Sequence, residues 1–220
     1  MISYDELIKN EEIRAYIEAQ DKSLLALGYT EHSFAHVMKV ASDAADILIT
    51  LGRDEHEAEL ARIAGYLHDI GNLVNRIGHS ESGAIIAFRL LDKLGGTSPA
   101  DIAAVVTAIG NHDEGTGVPV SDIAASLILA DKADVRRSRV RNRDASTFDI
   151  HDRVNYSVEH SELVIDREGG EIRLRLSVDT SISSVMDYFE IFLERMILCR
   201  KAAERLGRTF RLEINGQVLL

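Results

Sequence analysis

The sequence predicts a mainly α fold with a small α+β extension at its C-terminal end, and three observations carry that prediction. Apolar residues recur at helical spacing in successive segments from residue 4 to about residue 135. Several of these segments begin at a serine, threonine or aspartate and stop at a glycine, the residues that start and end helices. After residue 160 the pattern switches to alternation, the period of strands. A helical domain over residues 1–160 and a smaller unit over residues 161–220 follow from that switch.

A chain of 220 residues, 45% of them apolar, suits one domain with a small appendage and a sizeable core. Its apolar runs fall far short of the roughly eighteen residues of a membrane span. Its first residues lack the basic and apolar regions of a secretory signal. Cys199 is the only cysteine, so no internal disulfide can form and a reducing, cytoplasmic setting is expected. A net charge of −11, no tryptophan and 5% aromatic residues argue against general nucleic-acid binding, which needs a basic surface.

Residues 4–27 read as one amphipathic helical segment closed by Gly28. Thr30 is a plausible N-cap for the next helix, which reaches Leu51 before Gly52. His36 shares its inward stripe with Val37, Val40, Ala41, Ala44 and Leu48, whereas His32, at the helix start, is expected to be exposed. A third helix starts at Asp54 and carries Ala58, Ala61, Ala64 and Leu67 inward, with His68 continuing that face. Asp69 points about 100° away. The pair can share one ion only at the edge between them, or where the helix loosens, which Gly71 would ease.

His79 opens a helix that runs to about Leu94 and ends at Gly95-Gly96. Ser98-Pro99 then supplies the N-cap and first position of a helix ending near Gly110. The polar run Asn111-His112-Asp113-Glu114 follows, beside a glycine-rich loop of the kind that carries sites. Ser121 begins another helix, in which Asp131 lies one turn after the apolar Leu127. An inward carboxylate needs a partner, either a metal or, in a purely structural role, an arginine. Residues 136–143 hold five arginines in eight positions. They read either as a salt-bridged surface or as an anion-facing patch. Residues 149–158 are expected to form a short helix, which would put His151 and Asp152 near the site.

Strands are expected at residues 162–166 and 171–178, flanking Glu168-Gly169-Gly170. A long helix carrying Phe189, Phe192, Met196 and Ala203 ends at Gly207. Phe210, Leu212 and Ile214 then alternate into the hairpin signal Asn215-Gly216. The expected result is a small antiparallel sheet backed by one helix, with an exposed edge that offers one route to a homodimer.

Taken singly, each polar residue on an apolar face reads as structural. Together, His36, His68-Asp69 and Asp131, with His79 and His112 at helix ends, look like a metal site inside a helical bundle. Their order resembles the HD-domain superfamily of metal-dependent phosphohydrolases over roughly residues 30–140. That pattern is a histidine on one helix, an adjacent His-Asp on another, and a distant aspartate on a later one. The resemblance implies an HD-domain helical bundle with His36, His68, Asp69 and Asp131 on a first ion. Asp69 would bridge to a second ion completed by His79 and His112. The cofactor would be one or two divalent metals, with Fe, Mn, Zn, Ni and Mg all admissible. Two positions depart from the HD-GYP subgroup: Asn72 stands where lysine is usual, and Gly117-Val118-Pro119 where Gly-Tyr-Pro is usual.

The activity so implied is hydrolysis of a phosphate ester of a nucleotide or small phosphorylated metabolite by a metal-bound hydroxide. Asp69 would be the catalytic carboxylate, and Lys132, Asn72 and Arg136 would contact substrate. Two alternatives stay open. One is a regulatory module that binds nucleotide or metal without turnover; the other is a di-iron oxygenase of the same superfamily.

Overall fold

The computed structural model describes residues 1–219. Two polar caps divide the N-terminal segment into α1 (Tyr4–Leu7), capped by Ser3, and α2 (Glu11–Ala26), capped by Asn10. The single segment expected over residues 4–27 is thereby corrected, because the Asn10 side chain accepts the Ile13 N–H and restarts the helix. α3 (Phe34–Thr50) likewise starts from Ser33 and not from Thr30. The Thr30 carbonyl is occupied by His32 Nδ1 at 2.7 Å, and Ser33 Oγ accepts the Ala35 N–H instead.

α4 (Glu55–Leu67) packs along α3. Gly65 permits the close approach, since a Cβ there would stand 2.7 Å from Ala41 Cα. The helix stops at Leu67, and His68 and Asp69 lead into a 3-10 turn over Ile70–Leu73. So the chain does loosen at the His-Asp pair, but Gly71 serves a different purpose from the one expected. A Cβ on Gly71 would overlap the His79 carbonyl and the Gly83 N–H of the following helix. The glycine lets the 3-10 turn lie directly on α5 (His79–Leu94).

α6 (Pro99–Gly110) and α7 (Asp122–Ala133) complete the helical body. Every residue of α7 from Ile123 to Ala130 is buried, the mark of a helix surrounded by others. α8 (Ile150–Ser157) runs straight into β1 (Val158–Asp166), so the first strand begins before the residue 162 expected from alternation. β2 (Glu171–Val178), α9 (Val185–Arg205), β3 (Thr209–Ile214) and β4 (Gln217–Val218) follow.

The sheet order is β1-β2-β3-β4, and β2 pairs with β3 in parallel, from Glu171 opposite Thr209 to Leu176 opposite Ile214. This corrects the expected all-antiparallel sheet. A 21-residue α9 returns the chain to the end of the sheet where β2 began, and such a crossover is what parallel neighbours require. The alternation signal reports strands and says nothing of their direction. β3 and β4 are antiparallel across Asn215 and Gly216, both at positive φ (52° and 80°), as a two-residue hairpin requires. One apolar core runs from α3 through α7 and α9 to β3. The strand-rich end therefore shares the core of the helical body.

Candidate metal centre

Four histidines approach one point from four places in the chain, and each has one ring nitrogen already engaged. His68 Nδ1 lies 2.8 Å from the Gly65 carbonyl, His112 Nδ1 2.6 Å from the Ile109 carbonyl, and His79 Nδ1 3.1 Å from the Arg76 carbonyl. Each acceptor is three residues earlier, so local backbone geometry sets these rings. His36 is the exception: its Nδ1 lies 2.8 Å from Asp134 Oδ2. Carbonyls and carboxylates only accept, so in the neutral rings Nδ1 donates and Nε2 presents its lone pair to the centre.

Two carboxylates meet those nitrogens. Asp69 Oδ2 is 3.5 Å from His36 Nε2 and 3.3 Å from His68 Nε2. Asp131 Oδ1 is 3.4 Å and 3.6 Å from the same two atoms. The other oxygen of Asp69, Oδ1, is 3.6 Å from His79 Nε2, which in turn is 3.2 Å from His112 Nε2. Asp69 thus faces two donor sets, one on each oxygen. Asn72 holds it in place by donating to Asp69 Oδ1 at 3.0 Å and to the Asp69 carbonyl at 2.9 Å.

Whether a metal fits can be read from what the cluster lacks. His36 Nε2, His68 Nε2 and Asp69 Oδ2 are buried with no hydrogen-bond partner, an arrangement too costly to keep without one. Donor atoms around a tetrahedral ion with bonds of about 2.0–2.1 Å stand about 3.4 Å apart. The four His–Asp distances lie close to that spacing, His36, His68 and Asp69 offer donor atoms that all lie within 4.8 Å of one another, and His and Asp donors suit a divalent transition metal. The residues present fit the group.

Electrostatics agree with the geometry. Burial opposes a charge on His68, yet the Asp69 and Asp131 carboxylates raise it to about 10. His36 is raised as well, against burial, by its contacts with Asp131, Asp134 and Asp69. Asp69 and Asp131 are held well below the usual carboxylate range despite burial, Asp69 chiefly by His68 and Asp131 chiefly by Lys132. His112 and His79 shift the other way, pushed down first by burial. The two carboxylates thus favour positive charge within the first donor set, the charge that a bound cation would supply.

A cleft of about 500 Å³ opens onto this centre, and Arg76, Lys132, His151, Asp152 and Arg195 are on its walls. Lys132 Nζ is 3.0 Å from Glu114 Oε2 and 2.7 Å from Asp131 Oδ2. Of the residues expected to contact substrate, Lys132 is in the cleft while Asn72 and Arg136 are not among its lining. Asn72 is spent on Asp69, and Arg136 Nε on Asp134 Oδ1 at 2.6 Å. Of the rest of the arginine cluster only Arg139 is buried and Arg143 is exposed; Arg137 and Arg139 bond backbone carbonyls, and Arg141 pairs with Asp21. His32, expected to be exposed, is buried with its ring edge-on to His36.

Sequence reasoning passed over Asp134 and Arg195. Asp134 follows Asp131 by three residues at the end of α7, a spacing that puts both carboxylates on one side and could have drawn attention to it. No local signal marks Arg195.

A family model described as "HD domain" matches residues 33–149, more than half of the chain. An uncharacterized protein of Methanocaldococcus jannaschii is 28% identical over 198 residues, covering 80% of this chain and 74% of that relative. A solved structure described as a predicted HD superfamily hydrolase, from an uncultured Thermotogales bacterium, is 25% identical with a TM-score of 0.46. That match covers 61% of this chain and 75% of the other.

Proposed function

The chain belongs to the HD-domain family, and from that premise we propose that it is a metal-dependent phosphohydrolase acting on the phosphate ester of a small metabolite or nucleotide. The observation that carries this reading is the convergence of His36 Nε2, His68 Nε2 and Asp69 Oδ2, buried and without partners, next to a cleft that Asp69 and Asp131 line together with Arg76, Lys132 and Arg195. A divalent metal held there supplies Lewis acidity and acidifies water toward neutral pH.

The residues of the chain do the rest. Asp69, with a donor set on each oxygen, would fix the spacing of two ions, and Asn72 keeps its plane from rotating. The Nδ1 bonds of the four histidines prevent ring flips that would turn a donor away. Lys132, 4% exposed, lines the cleft with its ammonium against Glu114 and Asp131, where it would offset charge on phosphoryl oxygens. Asn72, which stands where lysine is usual in the HD-GYP subgroup, is engaged in orienting the Asp69 carboxylate.

The test is a panel of phosphomonoesters and phosphodiesters offered to protein loaded in turn with Mn, Fe, Zn, Ni and Mg. Turnover that a chelator abolishes and that Asp69→Ala loses is the expected result. Metal-loaded protein that binds nucleotide tightly yet turns over no ester would replace this reading with the binding module.

A further inference from the structure

We propose that Arg195, contributed by α9 of the C-terminal extension, is a phosphoryl-binding residue of the cleft, so that the α+β part completes the active site. The inference deepens the phosphohydrolase reading and rests on it.

Three observations carry it. First, Arg195 Nε donates to Glu114 Oε1 at 2.8 Å, while the terminal nitrogens of its guanidinium make no hydrogen bond among the described residues. The side chain is about one-fifth exposed (21%), and its opening is onto the cleft. Second, the guanidinium is held rigidly. Its carbon lies 4.3 Å from the centre of the Phe192 ring, and Phe192 is itself 4% exposed. A stacked, singly anchored guanidinium keeps its fork in one orientation, which lowers the entropy lost when an oxyanion arrives.

Third, the anchor leads directly to the metal ligands. Glu114 Oε2 takes Lys132 Nζ at 3.0 Å, and that ammonium lies 2.7 Å from Asp131 Oδ2, whose other oxygen faces His36 and His68. One carboxylate therefore serves two cations and leaves donors of Arg195 free. A fold clamp alone would need only the Nε bond. Two unspent N–H₂ groups beside a metal centre match the geometry of phosphoryl oxygens.

Inorganic phosphate, the product common to phosphomonoester substrates, is the probe, and its binding is read without turnover. Metal-loaded full-length wild type and Arg195→Gln are titrated with phosphate by calorimetry, after metal content and thermal midpoint have been compared. Loss of a charge-assisted contact is expected to weaken phosphate by about 10- to 100-fold while metal content stays equal. Arg195→Lys keeps the charge and loses the fork. It is expected to weaken phosphate by about fivefold or more, and it serves if the glutamine variant does not fold. An unchanged dissociation constant in a folded, metal-loaded variant, or no phosphate binding by wild type, would overturn the assignment. Phosphate binding that depends on Arg195 in a protein that hydrolyses no ester would instead overturn the phosphohydrolase reading and leave the anion site standing.

Discussion

His36 Nδ1 and Asp134 Oδ2 stand 2.8 Å apart, both side chains fully buried, across 98 residues of sequence. The other three histidines of the centre are oriented by a carbonyl one turn back, but His36 depends on a distant carboxylate. Burial works against the charge of Asp134, yet His36, Arg139 and Arg136 hold it well below the carboxylate range. Removing the charge of that partner should leave the His36 ring less firmly held and less basic toward a metal. Asp134→Asn is therefore expected to weaken metal binding by about 10- to 100-fold with the fold retained. Competition against a chromogenic chelator measures it, and an unchanged affinity would separate Asp134 from the centre.

Metal binding should release protons. His68 is raised to about 10 by Asp69 and Asp131 acting against burial, above the ordinary histidine value of about 6.5. A raised folded-state value means the stabilisation of the metal-free protein by this proton is complete below about pH 6.5 and is lost as pH climbs toward 10. Metal affinity has the opposite slope over the same window, because the imidazole must deprotonate to coordinate. Calorimetry in buffers of different ionisation enthalpy should report at least one proton released near pH 7.5. A heat independent of buffer would contradict the shift.

Gly71 is a steric requirement of the site. A Cβ there would meet the His79 carbonyl and the Gly83 nitrogen, both backbone atoms that cannot step aside. Gly71→Ala should cost about 3 kcal/mol or more and displace Asp69 relative to His79. Chemical denaturation with and without metal checks both consequences. A variant as stable as wild type would show that the 3-10 turn does not lie on α5.

Cys199 is fully buried and its thiol is pushed up to about 12, first by burial. It should resist a polar maleimide in the native protein and react on unfolding. Labelling of the native chain at the rate of a free thiol would place α9 differently from the packing described.

Much of this was legible locally. His68-Asp69 announces itself as a polar pair at the end of an apolar helix, and the caps Asp54, Ser98 and Ser121 mark helix starts correctly. His36, His79 and Asp131 each sit at a helical position that periodicity can find, and His112 stands in the polar run just past the end of α6. What escaped depends on long-range pairing. Asp134 acquires meaning only through His36, Arg195 only through Glu114, 81 residues away. The parallel register of β2 and β3 follows from where α9 deposits the chain, which alternation does not encode. Asn72 and Arg136 carry polar groups suited to phosphate, but nearer partners, Asp69 and Asp134, claim them.

The central claim is that this His and Asp cluster holds metal, and anomalous scattering from a crystal of the metal-reconstituted protein tests it most directly. The account predicts a peak within about 2.0–2.3 Å of His36 Nε2, His68 Nε2, Asp69 Oδ2 and Asp131 Oδ1, with any second ion on Asp69 Oδ1, His79 and His112. A metal-saturated crystal with no peak among those residues would contradict it.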